Sequence, residues 1–336
     1  MDVLILAIFR IRNIPIMRRN EFIKQISAAT ALTLLGVEQL SARETKNKTL
    51  DKIGLGLFSL PSLLEKDFEG GIQMLADMGY SELELYGPYE FSQQSAKDRW
   101  DSIIPMVGFS GSGFFGRTAA EVKSVFTEYG MSVPSIHTDL DTMENNINAF
   151  AEPAEVLGFE YITLPAIPDE RRKTMDDYKK MADTFNTIGK NAKKIGLKLA
   201  YHNHGYGLQE VDGQVPFQVM MDATDPELVF LEMDVFWTIA GRANPAEYLK
   251  KYSGRYHMMH VKDMKPITYF AGDGSDAPQW IELFPKMTTA GDGDIDLNAI
   301  LKTAKENGVK HFFVEQDMVQ QPEIALKRSF DYLRNI

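Results

Sequence analysis

Lys198–His204 (KLAYHNH), Val229–Asp234 (VFLEMD), His257–Asp263 (HMMHVKD) and His311–Asp317 (HFFVEQD) decide the fold of this chain. Each is a short apolar run that ends in imidazole or carboxylate side chains. In a strand every second residue faces the same way. His202 therefore shares a face with His204, Glu232 with Asp234, His260 with Lys262, and Glu315 with Asp317. If the four strands lie parallel and side by side, these groups converge at their C-terminal ends.

The pattern extends outward to the whole chain from Ile53. Strands are expected at Ile53–Phe58, Glu82–Tyr86, Val133–His137, Tyr161–Leu164, Lys198–His202, Val229–Asp234, His257–Val261 and Phe312–Glu315. Helical periodicity falls between them, at Phe68–Met78, Ala119–Tyr129, Met143–Leu157, Met175–Ile195, Pro216–Met221, Pro245–Lys251, Leu297–Asn307 and Gln321–Leu333. Gly79, Gly130, Gly158, Gly196 and Gly308 each follow a helix, where glycine accepts the left-handed conformation. Asp296 can cap the helix after it. Eight strands alternating with helices argue for parallel βαβ units, and a closed (β/α)8 barrel in one α/β domain is the economical solution. An open doubly wound sheet is the alternative, weakened because Gly54, Gly56 and Phe58 do not form the phosphate turn GxGxxG. Two intervals, Gly87–Arg117 and Met264–Gly293, are longer than the rest and leave C-terminal strand ends, so they are expected to loop over the barrel mouth.

The 336 residues carry a net charge of −11 and no cysteine. The acidic balance argues against a phosphate-tracking surface and hence against nucleic acid. The lack of cysteine excludes disulfides and thiolate metal ligands. The first 42 residues read as a segment apart. Met17-Arg18-Arg19-Asn20-Glu21-Phe22-Ile23-Lys24 precedes the apolar run Ile26–Leu35, and Leu40-Ser41-Ala42 offers a cleavage point. This is the order of a secretory signal and it resembles a twin-arginine signal, with two residues rather than one between Arg19 and Phe22. It points to export to the periplasm. The alternative is a cytoplasmic protein with an amphipathic N-terminal helix. Met17 reads as a natural start, with Met1–Ile16 an over-extended frame. Residues 43–52 read as a polar linker and residues 53–336 as the barrel. No later segment has the ~20 apolar residues of a membrane span.

A mixed imidazole and carboxylate cluster suits one Mn, Zn, Co or Fe ion. The candidate ligands are His202, Asp234, His260 and Glu315. Each has a bland alternative. Asp234 can cap a helix or join an ion pair, and His260 can be a satisfied core histidine. Glu315 ends Phe312-Phe313-Val314, where solvation alone would not place a carboxylate. His202 or His204 binds metal while the other touches substrate or holds structure. Glu84, His137 and Lys262 read as substrate-binding or proton-transfer groups, or as ion pairs that close the barrel core. Trp237 and the Phe114-Phe115 pair can stack on a sugar ring or fill the mouth. Gly291-Asp292-Gly293-Asp294-Ile295-Asp296 has neither the Lys-Ser/Thr of a phosphate loop nor the length of a calcium loop, and reads as a turn with a helix cap. There is no GxSxG nucleophile motif.

Asp234, the strand end His260-Val-Lys-Asp263, the Gly-Asp-Gly-Asp-Ile-Asp296 turn and Val-Glu315-Gln-Asp317 resemble the sugar phosphate isomerase/epimerase group. These are xylose-isomerase-like TIM barrels, which also include endonuclease IV. The resemblance runs from about Ile53 to the C-terminus. It implies a divalent metal at the mouth, held by Glu, Asp, His and Glu on the last four strands. The last three correspond to Asp234, His260 and Glu315, and His202 stands where the first Glu would be. A metal-dependent isomerase or epimerase of a small carbohydrate is therefore expected, working through an enediolate with Glu315 as base and His202, His204 or Lys262 as acid. An exported 3-keto-glycoside lyase or hydratase uses the same site. A phosphodiesterase like endonuclease IV and a non-catalytic sugar-binding barrel are the remaining alternatives. A homodimer is compatible with such a barrel.

Overall fold

The computed structural model describes residues 50–336. The signal, cleavage and start readings and most of the linker lie outside the described residues. Eight parallel strands close into a barrel: β1 (Gly54–Gly56), β2 (Glu82–Tyr86), β3 (Ser132–His137), β4 (Tyr161–Leu164), β5 (Lys198–His202), β6 (Val229–Asp234), β7 (Tyr256–Val261) and β8 (His311–Val314). Each strand pairs with the next in sequence, and β8 pairs back to β1 through Gly54↔Phe313. Closure leaves no unpaired edge, and excludes the open doubly wound sheet. Among the described residues no helix is long and apolar enough to cross a membrane.

The expected glycine stops are present. Gly79, Gly130, Gly158, Gly196 and Gly308 all have φ between 68° and 108°. The Asp296 side chain accepts from Ala299 N, capping the helix Leu297–Glu306. The expected single helix Met143–Leu157 is instead two, Leu140–Asn145 and Ala151–Leu157, joined by a 3-10 turn. Pro153 sits in the first turn of the second, where its missing N–H costs nothing. Gly87–Arg117 contains the helix Gln94–Val107, and Met264–Gly293 contains Ala277–Leu283. A two-residue ribbon, Asp263–Met264 against Met287–Thr288, ties down the second excursion.

Two apolar layers form. One lies between the barrel and its helices; the other is a small plug of Tyr161, Ala200, Met258 and Phe313, with Phe230 against it. The plug residues precede Thr163, His202, His260, Glu315 and Glu232 by two positions. They are the same strand faces one step deeper, so the plug seals the barrel beneath the polar groups. Gly54 and Gly56 supply no side chain on β1. Phe313 and Glu315 occupy the space each would fill.

Candidate functional site

The C-terminal strand ends bring together Glu84, His137, His202, Glu232, Asp234, His260, Lys262, Glu315 and Asp317. The register sets their levels: His202 lies beside Glu232, and Asp234 beside His260. Glu232 Oε2 contacts His137 Nε2 at 2.7 Å and His202 Nδ1 at 2.9 Å. Glu84 Oε2 contacts His137 Nε2 at 3.0 Å and His260 Nε2 at 2.5 Å. On its other side, His260 Nδ1 meets Glu315 Oε2 at 2.8 Å. Above these, Lys262 Nζ lies 2.7 Å from Glu315, 2.9 Å from Asp317 and 3.1 Å from Asp234.

Asp234 does two things at once. Its Oδ1 accepts from Trp237 N and caps the helix Val235–Ala240. Its Oδ2 is buried with no hydrogen-bond partner, although Lys262 is within ion-pair range. Glu84 Oε1 and Glu232 Oε1 are buried and unpartnered as well. Asn203 faces the helix, donating to Thr238 Oγ1 and accepting from Asp234 N.

The charges follow from burial set against neighbours. Burial alone would neutralise every group here. His260 has carboxylates on both nitrogens, so Glu315, Glu232 and Glu84 outweigh burial and hold it well above the usual histidine range. At His137, Glu84 and Glu232 likewise outweigh burial and raise the pKa to about 9. Two glutamates share these imidazoliums, and they split. Glu84 is held below the carboxylate range by His137 and His260 against its burial. Glu232 is raised to about 7 by burial and by the charge of Glu84. Glu315 stays well below its ordinary value because His260 and Lys262 overcome burial. Asp317 is raised to about 7 by burial, with Glu315 adding to it. Lys262 is held well above its ordinary value, Asp234, Asp317 and Glu315 overcoming burial. His202 is pushed far down by burial and the neighbouring His260, and His204 down to about 3 by burial and Lys262; both are neutral.

Two overlapping sets can hold a divalent ion: His137, His202, Glu232 and His260, and Asp234, His260 and Glu315. The donors are imidazole nitrogen and carboxylate oxygen, which suit first-row ions. Three of the carboxylates also keep an unpartnered buried oxygen that a cation would satisfy. The residues therefore fit a metal. The sequence places Asp234, His260 and Glu315 in one set. His202 joins the other, with its Nε2 3.6 Å from Asp234 Oδ2.

Sequence reasoning left Glu232 out of the site, although its alternation with Asp234 exposed it. It also missed Trp280, from the long excursion after β7. Trp280 stacks on His204 at 5.3 Å between centroids. Trp237 is buried beneath this cover and stacks on Phe270 at 5.8 Å. The Met264–Gly293 excursion thus covers the mouth as expected. Phe114 packs on Tyr89, and Phe115 on Phe68 and Tyr86, so that pair fills an aromatic cluster.

Comparison with known proteins gives the same architecture. Inosose dehydratase 2 of Bacillus cereus is 30% identical over 162 residues, covering 47% of this chain and 52% of that protein. The chain thus spans about half the length of the curated relatives it matches. A sugar phosphate isomerase/epimerase from Parabacteroides distasonis superposes with a TM-score of 0.64 at 24% identity, covering 84% of this chain and 96% of that one. The IOLI protein, solved with a binding zinc atom, gives 0.57 at 16% identity, covering 84% and 95%. These two likenesses show the fold. Residues 72–336 match the family profile, and the chain belongs to the xylose isomerase-like TIM barrel family.

Proposed function

We propose that this chain is a divalent-metal-dependent enzyme that removes a carbon-bound proton beside the carbonyl of a sugar or keto-sugar. The observation that carries the reading is the buried cluster at the barrel mouth, with cationic groups, an ionised Glu315 and unpartnered carboxylate oxygens within one site. In this reading Asp234, His260 and Glu315 hold the ion, with His202 as the fourth ligand. When bound, the ion supplies Lewis-acid charge that stabilises the oxyanion left after the proton departs. Glu315 is the base, its carboxylate kept ionised by His260 and Lys262. Of the three candidate acids, His202 and His204 are neutral, and Lys262 carries the proton to give.

Two outcomes share this step. In elimination, the electron pair of the broken C–H bond forms the double bond, and a β-hydroxyl leaves as water with a proton from Lys262. The relatives named inosose dehydratase favour this outcome. In isomerisation or epimerisation the proton returns to carbon. Glu232, a second carboxyl group raised to about 7, favours that outcome, because it offers a proton donor and acceptor besides Glu315.

The test is elemental analysis of the protein purified without chelator, followed by NMR of keto-sugars in deuterium oxide. About one Mn, Zn, Co or Fe per chain is expected, with metal-dependent loss of the proton beside the carbonyl and either alkene formation or deuterium retention. A chain that takes up no metal on titration contradicts the reading.

A further inference from the structure

Above the proton-transfer groups the mouth holds a second set of polar atoms that no protein group satisfies. Tyr89 Oη, Thr138 Oγ1, His204 Nδ1 and Trp237 Nε1 are all buried without a hydrogen-bond partner. They come from the segments after β2, β3, β5 and β6, so they stand around the mouth rather than in one loop. Tyr89 is 2% exposed, Thr138 3% and Trp237 2%. Native proteins rarely leave such groups unpaired, and each unpaired one calls for an explanation. None of the four belongs to a carboxylate, ammonium or guanidinium group, and a phenol, a hydroxyl and an indole carry no charge at neutral pH.

The cations nearby are already engaged. Lys262 is shared by Asp234, Glu315 and Asp317. The Arg172 guanidinium lies over Tyr206 at 3.9 Å and donates to Ile167 O, Ser275 O and Asp169. Five carboxyl groups, Glu84, Glu232, Asp234, Glu315 and Asp317, line the cluster, and the ammonium and guanidinium groups beside them are held by the partners just named. A phosphate group would find neither of these two side chains free to pair with it. Hydroxyl groups both donate and accept, and match the four atoms.

Resting on the reading above, we infer that the substrate is an uncharged polyhydroxylated sugar or keto-sugar, with hydroxyls paired to Tyr89, Thr138, His204 and Trp237. Phosphorylated sugars are expected to bind more weakly, because Lys262 and Arg172 are already paired.

The experiment uses the full metal-loaded chain and follows tryptophan emission on titration with matched pairs: D-fructose with D-fructose 6-phosphate, D-xylulose with D-xylulose 5-phosphate, and scyllo-inosose alone. At least one uncharged compound is expected to bind, with any phosphate ester at least about tenfold weaker than its parent. Tyr89→Phe and Thr138→Val keep the shape and remove one hydroxyl each, and each is expected to weaken the uncharged ligand by about five- to tenfold. Their circular dichroism is expected to match the parent chain. A phosphate ester that binds more tightly than its parent overturns the inference. So does competition by millimolar inorganic phosphate, or a panel in which no uncharged compound binds. Proton exchange from a phosphate ester would sink the inference and leave the reaction standing. Binding of an uncharged sugar without metal-dependent exchange would do the reverse.

Discussion

Gly56 is the position where one added methyl group tests the site most directly. It lies on β1 opposite Glu84, and a β-carbon there would sit 2.6 Å from Glu315 Oε1 and 3.1 Å from its Cδ. Ordinary contact begins near 3.4 Å, so the carboxylate must retreat by about 0.8 Å. It cannot do so freely, because His260 holds it at 2.8 Å and Lys262 at 2.7 Å. Gly56 does not have a positive φ, so alanine gains about 0.4–1 kcal/mol by restricting the unfolded chain. Overpacking opposes this with about 1–3 kcal/mol. The net expectation for Gly56→Ala is a loss of about 1–2 kcal/mol, read from urea unfolding. Displacing a reacting group by nearly an ångström costs on the order of 100-fold in rate. Proton exchange should fall by that much, and metal affinity should drop with it. Gly54→Ala is the control on the same face of the same strand. Its β-carbon would meet the Phe313 ring at 2.6 Å, in the apolar plug, so it should lose similar stability with little effect on exchange. Parental metal affinity and exchange in Gly56→Ala, or equal activity losses in the two variants, would refute the argument that β1 is bare to make room for a working Glu315.

Glu315→Gln should abolish solvent exchange at carbon while circular dichroism stays that of the parent chain; parental exchange would remove Glu315 as the base. Asp263 accepts from the backbone N–H of Met264, Gly291, Gly293 and Ile295 at 2.8–3.3 Å, so Asp263→Ala should cost about 3 kcal/mol or more in urea unfolding by leaving those donors unpaired. At the opposite end of the barrel, burial and then the charges of Lys310 and Lys198 push His257 down to about 4. The unfolded chain takes up a proton near pH 6.5 that native His257 refuses. Its contribution is therefore fully present above about pH 6.5 and is lost as pH falls toward 4, at up to about 1.4 kcal/mol per unit. His257→Gln should flatten that part of the urea-midpoint profile, and parallel profiles for the two chains would disprove it.

How much of this was legible in the sequence depended on whether one physical signal dominated a segment. The strands β2, β4, β5 and β6 have the bounds that apolar patterning predicts, because a barrel strand is short, apolar and bracketed by turns. Asp234, His260 and Glu315 stood out because a charged or imidazole side chain ending such a run needs a partner. Helices were lost where periodicity was absent. Val235–Ala240 is apolar except for Thr238 and almost wholly buried, so no polar face set off an apolar one. Gln94–Val107 buries only Ala96 and carries Pro105, so it shows neither a clear stripe nor an uninterrupted propensity.

The site was harder than the fold for a different reason. Alternation reports which face a residue takes, but not which of two facing residues lies at the level of the chemistry. That level is set by the stagger of neighbouring strands. His202 pairs with Glu232 and Asp234 pairs with His260, so β5 sits one step lower than β7 relative to β6. This stagger draws Glu232 and His137 into the inner set with His202, whose Nε2 still lies 3.6 Å from Asp234 Oδ2 of the outer one. His260, reached from both levels through its two nitrogens, is the residue on which the two sets depend in common. An ion held by Asp234, Glu315 and His260 would therefore share an imidazole whose other nitrogen meets Glu84 below it. If only the outer set mattered, those two buried glutamates would be an unexplained cost. Their acids and imidazoles make better sense as a proton reservoir beneath the reacting groups, a role that Glu232→Gln would expose by changing the pH profile of exchange more than metal stoichiometry. An unchanged profile would leave Glu232 a structural partner of His137 and His202.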